Sequence, residues 1–262
     1  MVKKCNYFYN THVRRYNNRM KNMKRFGMLL AAAVILLVIA LAMRHHGQPA
    51  TPGSKQAFNK HELSLSDPSS AWLVVNKTRP LQPKDFAPSL AVPNVPLRLA
   101  SDNEEMHLRP DAARALETLV SGAKQQGIRL MLASGYRSYN FQVSLYNGYV
   151  MDQGQAEADQ QSARPGYSEH QTGMAADLEP TSRNCEVVSC FATTPEGKWL
   201  AANAYRYGFI LRYPEGKQAV TGYEYEPWHI RFVGTTLSQE MHRDHVLTME
   251  EFFGLPAAPK YQ

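Results

Sequence analysis

Cysteine is scarce in this chain, with three residues in 262, and a thiolate metal site lacks the further ligands it would need nearby. Acidic residues are missing altogether from positions 1–25, which carry Lys3, Lys4, Arg14, Arg15, Arg19, Lys21, Lys24 and Arg25. The formal net charge of +6 therefore misleads, because taking those eight cations from 29 basic residues leaves 21 against 23 acids, or −2 from position 26 onward. A body with no surplus of positive charge cannot neutralise a phosphate backbone, so nucleic acid is excluded as a partner. Internal repeats and coiled-coil heptads are also absent. With 44% hydrophobic and 20% charged residues, the composition is that of a globular domain with appendages.

One long apolar run exists, Phe26 to Met43 (FGMLLAAAVILLVIALAM), and it follows the basic stretch directly. A membrane-spanning helix needs roughly 17–25 such residues. The positive flank places the N-terminus in the cytoplasm and the rest outside. The sequence thus predicts a basic cytoplasmic tail over 1–25, a transmembrane signal-anchor over 26–43, a flexible linker over 44–68 and a folded domain over 69–256. A secreted form cleaved near Ala42 is the alternative, since Ala40-Leu41-Ala42 has the small-x-small form of a cleavage site. Outside the membrane, Cys185 and Cys190 read as a disulfide closing a small loop.

Within the domain, Pro110 suits the first turn of a helix whose apolar face is Ala113, Leu116, Leu119, Val120 and Ala123, with Gly127 beyond its end. A buried strand follows over 128–133, then helices over 139–152 and 155–162. Further strands are expected at 72–75, 174–178, 209–212 and 229–233. Another helix is expected over 195–207, and short helices over 236–244 and 248–253. Without a regular βαβ alternation, this predicts an α+β fold with a small, mostly antiparallel sheet and flanking helices.

Two segments carry chemistry: Ser168-Glu169-His170-Gln171-Thr172-Gly173-Met174-Ala175-Ala176-Asp177 and Glu226-Pro227-Trp228-His229. A catalytic zinc site takes three protein ligands from His, Asp or Glu and keeps one position open. His170, Asp177 and His229 supply such a set, and Gly173 permits the turn that would bring the first two together. Strand alternation puts Asp177 with Ala175 on one face, and His229 with Arg231 on one face of the next strand. Hydrolysis also needs a proton carrier, for which Glu226 is placed three residues before His229, and a donor for the developing oxyanion, for which Arg137 is the candidate.

The pattern Ser168, His170, Gly173, Ala175, Asp177, then Glu226, Trp228, His229, with the Ser134–Ser138 turn and Gln142 upstream, resembles the VanY-type D-alanyl-D-alanine carboxypeptidases of the LAS and hedgehog-like zinc peptidase group. The resemblance covers about residues 70–254. It implies one catalytic Zn2+ on His170, Asp177 and His229, with Glu226 as acid/base and Arg137 facing a substrate carbonyl or carboxylate. It further implies Ser168 and Gln142 as substrate-pocket residues and a peptidoglycan stem peptide as substrate, trimmed of its terminal D-alanine. D,D-cleavage, L,D-cleavage and endopeptidase or dipeptidase action remain open at this level, as does a domain that grips the peptide without cutting it. A serine mechanism is the poorer rival: Ser121-x-x-Lys124 falls at the end of a helix rather than its start, and no Lys-Thr-Gly element follows. His242 and His245 read as exposed helix residues rather than a second metal site.

Overall fold

A computed structural model describes residues 58–262, so the expected tail and membrane segment lie outside the described residues. Among those described, no helix is long and apolar enough to cross a membrane. Four antiparallel strands, β1 (Leu130–Ser134), β2 (Ala175–Pro180), β3 (Phe209–Leu211) and β4 (His229–Phe232), form one sheet in the order β1-β2-β4-β3. Around it lie α1 (Pro110–Gln125), α2 (Tyr139–Gln153), α3 (Gln155–Gln161), α4 (Pro195–Asn203), α5 (Gln218–Thr221), α6 (Thr235–Arg243) and α7 (Met249–Phe253). The α+β expectation is met.

Local chemistry explains the framework. Pro110 opens α1 and Lys124 sits in its last turn, while Ala112, Ala113, Leu116, Leu119, Val120 and Ala123 bury one face. That face packs on Leu130, Leu132, Ala176, Leu178 and Ile230 of the sheet. Each fully buried leucine there contributes about 1.5–3 kcal/mol of apolar transfer. Ser138 and Thr194 cap α2 and α4 by accepting the backbone N–H of Phe141 and Gly197. The central strand β2 is buried along its whole length. Ala176 and Leu178 enter the apolar core, and the alternate residues Ala175, Asp177 and Glu179 take the other face.

Three expectations need correction. The compact unit begins at Phe58, inside the span expected to be linker, because Phe58 stacks on Trp72 with ring centroids 5.3 Å apart and meets Phe252 edge-on at 5.5 Å. It also continues past 256, since Ala258 is buried and Tyr261 packs on Tyr167. Trp72 to Val75 is buried but is not a strand. Its carbonyls are taken by side chains instead: Arg231 donates to Leu73 O at 2.7 Å, Arg79 to Val74 O at 3.2 Å and Arg212 to Val75 O at 3.5 Å. The backbone is satisfied without a neighbouring strand.

Candidate metal centre

The sheet register builds the site. Asp177 on β2 pairs with Ser134 of β1 on one side and His229 of β4 on the other. Directly opposed residues hold their Cβ atoms about 5 Å apart, so Asp177 and His229 face one another across the ladder. His170 arrives from a short 3-10 turn, Glu169–Thr172, which ends on Gly173 at φ +67°. Only a residue free of a side chain fits there, because a Cβ would stand 2.9 Å from Arg109 N. That turn reverses the chain and brings His170 back over the strand.

The two imidazoles are oriented from behind. His170 Nδ1 lies 2.6 Å from the carbonyl of Gly135, which leaves Nε2 facing Asp177 Oδ2 at 3.4 Å. His229 turns the other way, with Nδ1 3.1 Å from Asp177 Oδ1 and Nε2 3.6 Å from Glu169 Oε2. The ligand atoms of His170, Asp177 and His229 all lie within 4.8 Å of one another. Tetrahedral zinc with bonds of about 2.1 Å separates its ligands by about 3.4 Å, close to the 3.4 and 3.1 Å that separate Asp177 from His170 Nε2 and His229 Nδ1. Asp177 Oδ1 and His170 Nε2 are buried with no hydrogen-bond partner among the described residues. Buried polar atoms left open and converging on one point fit a cation. The donor set of two imidazoles and one carboxylate fits zinc.

Burial and the neighbouring charges set the protonation of each group in the metal-free site. Burial lowers the His170 pKa to about 3, and Arg137 adds to that. Burial also works against a proton on His229, but the carboxylates of Asp177, Glu169 and Glu226 outweigh it and hold that imidazole up at about 9. Asp177 stays well below the usual carboxylate range, because His170, His229 and Arg137 overcome its burial. Glu226 moves the other way: burial, with Asp177 adding, raises it to about 7 against the pull of His229 and Arg137. Its Oε2 lies 3.5 Å from His229 Nδ1, the nitrogen that faces Asp177.

A cleft of about 770 Å³ opens over this cluster, within the usual size for a small-ligand site. All seven residues singled out from the sequence line it: Arg137, Gln142, Ser168, His170, Asp177, Glu226 and His229. Arg137 Nη2 stands 3.6 Å from Asp177 Oδ2 and its Nε is buried with no partner among the described residues. Gln142 donates its amide to Ser162 Oγ and Ala163 O at 3.1 and 2.7 Å. Its Oε1 is left unpaired among the described residues. Ser168, also buried, precedes the ligand turn. Phe141, Leu145 and Tyr149 form a wall at four-residue spacing along α2.

Sequence reasoning missed two contributors, Tyr213 and Glu169. Tyr213 lies with its ring 4.8 Å from that of His229, and nothing in its immediate sequence marks it. Val187, Val188 and Ser189, by contrast, line the cleft on the loop closed by the Cys185–Cys190 disulfide, where a pocket wall is expected from the sequence. Glu169 was hidden between two motif residues; the placement of Arg231 on the same strand face as His229 was the available signal, because a buried arginine requires a carboxylate. His242 is exposed and stacks on Tyr205, away from any metal cluster among the described residues.

The sequence profile of the VanY family, described as D-alanyl-D-alanine carboxypeptidase, matches residues 105–235. The chain is 40% identical over 191 residues to the putative carboxypeptidase YodJ of Bacillus subtilis (strain 168), covering 72% of this chain and 69% of that protein. The solved structure of the LdcB LD-carboxypeptidase superposes with a TM-score of 0.68 at 41% identity, over 71% of this chain and 87% of the other. A vancomycin-resistance D,D-pentapeptidase VanY, solved in complex with Zn(II), gives 0.57 at 28% identity, over 69% and 97%. By its zinc-competent triad and by these likenesses, the chain belongs to the VanY family of D-alanyl-D-alanine carboxypeptidases.

Proposed function

We propose that the chain is a zinc-dependent carboxypeptidase that removes the terminal D-alanine from peptidoglycan stem peptides. The observation that carries this is the convergence of His170 Nε2, Asp177 and His229 Nδ1 beneath a cleft that also holds Glu226 and Arg137. His170, Asp177 and His229 would hold the zinc, which would supply Lewis acidity toward the scissile carbonyl and the attacking water. Glu226, poised near neutrality, accepts the proton of the attacking water and passes it to the departing D-alanine nitrogen as the C–N bond breaks. Arg137 offers its unpaired Nε–H and its positive charge to the developing oxyanion or to the substrate's terminal carboxylate. Ser168 and the free Oε1 of Gln142 hold the peptide against the cleft floor.

The tetrapeptide stem is the favoured substrate within this class, because the likeness to the LD-carboxypeptidase is closer in identity, 41% against 28%, and in TM-score, 0.68 against 0.57. Mass spectrometry of products from defined tetrapeptide and pentapeptide stems tests both statements. Loss of one alanine from either supports the carboxypeptidase. Loss from the tetrapeptide alone supports L,D-specificity, and release of a dipeptide or an internal cut would overturn the proposal.

We further propose that the domain lies outside the cytoplasmic membrane on a single anchor over 26–43. The asymmetry of charge around that run supports this, and so does the Cys185–Cys190 disulfide, a bond kept in oxidising compartments. Protease shaving of intact cells should remove the domain; full protection would contradict the placement.

A further inference from the structure

Behind the metal centre lies a buried charge network that the mechanism above does not use. Arg212 and Arg231 are wholly buried, and both meet one oxygen of Glu169: Arg212 Nε donates to Oε1 at 2.9 Å and Arg231 Nη1 to the same atom at 2.5 Å. Each guanidinium is anchored elsewhere, Arg212 on Glu250 at 2.7 and 3.0 Å and Arg231 on the carbonyl of Leu73 at 2.7 Å. Two carboxylates thus balance two guanidiniums. The second oxygen, Oε2, is buried without a hydrogen-bond partner among the described residues, and so is His229 Nε2. These two open atoms face each other at 3.6 Å, just beyond hydrogen-bond length.

We propose that Glu169 is a positioning residue that decides which ring nitrogen of His229 is offered to the metal. A metal-ligating imidazole turns its other N–H to a carboxylate or carbonyl, which fixes tautomer and orientation. His170 already does so through Gly135. For His229 the acceptor is Glu169. A carboxylate held between two guanidiniums is ionised and can only accept, so Nε2 keeps its hydrogen, and Nδ1 is the nitrogen that gives up its proton to offer a lone pair to a metal beside Asp177. The anchoring arginines come from the residue that follows β3 and from β4, and they are tied to α7 and to residues 71–75. The ligand's orientation is therefore set by the packed fold behind it, not by the cleft in front.

This inference rests on His229 being a metal ligand. Its test is the nearly isosteric substitution Glu169→Gln. The two guanidiniums still require an oxygen, so the amide oxygen takes the Oε1 position and the NH2 group turns toward His229 Nε2. Two donors then meet, and His229 must give up the Nε2–H tautomer or rotate. Competition with a chromophoric chelator should show zinc affinity of the folded variant down about 10- to 100-fold. Long-range 1H–15N spectra should show Nδ1 of His229 as the metal-bound nitrogen in the zinc-loaded wild type and the loss of that signature in the variant. A purely structural role would lower stability and leave the affinity of the folded fraction unchanged. Affinity within twofold of wild type, or wild-type coordination through Nε2, overturns the proposal. If the variant does not fold, the wild-type spectrum decides. Should the wild type itself bind no zinc, it is the metal reading that fails, whereas tight wild-type binding beside an unaffected Glu169→Gln refutes the role of Glu169 alone.

Discussion

Replacing Glu226 with Gln should make the metal-free protein more stable while removing its activity. The carboxylate is 17% exposed, and burial raises its pKa from 4.5 to about 7. At 1.36 kcal/mol per pH unit, ionising it in the fold costs about 3 kcal/mol. The sign follows from proton linkage: between 4.5 and 7 the unfolded chain gives up this proton before the folded one does, so stability falls across that window and the full cost is present above it. Glutamine keeps the shape and never ionises. At pH 9 the chelator-treated variant should gain about 2–3 kcal/mol, or roughly 5–10 °C in midpoint for a domain of this size, shrinking below about 1 kcal/mol at pH 5. D-alanine release should fall about 10²- to 10⁴-fold, with zinc binding retained because Glu226 is not a ligand. Heat denaturation at the two pH values measures the first effect and a coupled D-alanine assay the second. A variant no more stabilised at pH 9 than at pH 5 would refute the burial argument, and undiminished turnover would refute the catalytic one.

Arg137→Lys keeps the charge but loses the fork and the Nε donor, so kcat/KM should drop about 100-fold or more with zinc stoichiometry unchanged; a drop under threefold removes Arg137 from the reaction. Cys185→Ser with Cys190→Ser opens a loop closed over a sequence separation of 5, which should cost about 2 kcal/mol by loop entropy. It should also raise KM, because Val187, Val188 and Ser189 line the cleft; unchanged steady-state kinetics would separate the loop from substrate binding. Gly173→Ala forces a Cβ to 2.9 Å from Arg109 N at φ +67°. Urea titration should show a loss of at least about 1 kcal/mol, together with weaker zinc binding as His170 is displaced. A loss under about 0.5 kcal/mol would contradict the tight turn.

The metal ligands were legible because their residue types are chemically unusual in buried strands and their short-range spacing is set by one tight turn at Gly173. Strand alternation correctly grouped His229 with Arg231, and both meet Glu169. What pairs across the sheet was not legible: the register that opposes Asp177 to His229 depends on partners 52 residues apart. Glu169 was hard to read for a related reason, since the charges that permit its burial come from distant parts of the chain and Arg231 alone pointed to it. The same network misled the reading of Trp72 to Val75. Four apolar residues in a row resemble a strand, yet arginine side chains satisfy their carbonyls. Phe58 showed no periodicity in its polar surroundings, and its aromatic partners Trp72 and Phe252 are known only from the fold.

One zinc ion held jointly by His170, Asp177 and His229 is what would make this cleft a carboxypeptidase. The most direct measurement is a zinc titration of the chelator-stripped protein, following D-alanine release from a defined stem peptide. Release should be absent without metal, rise linearly to one equivalent of zinc per chain, and not recover in His229→Ala at any zinc concentration. Release that persists in the stripped protein, or that is restored in His229→Ala, would contradict that assignment.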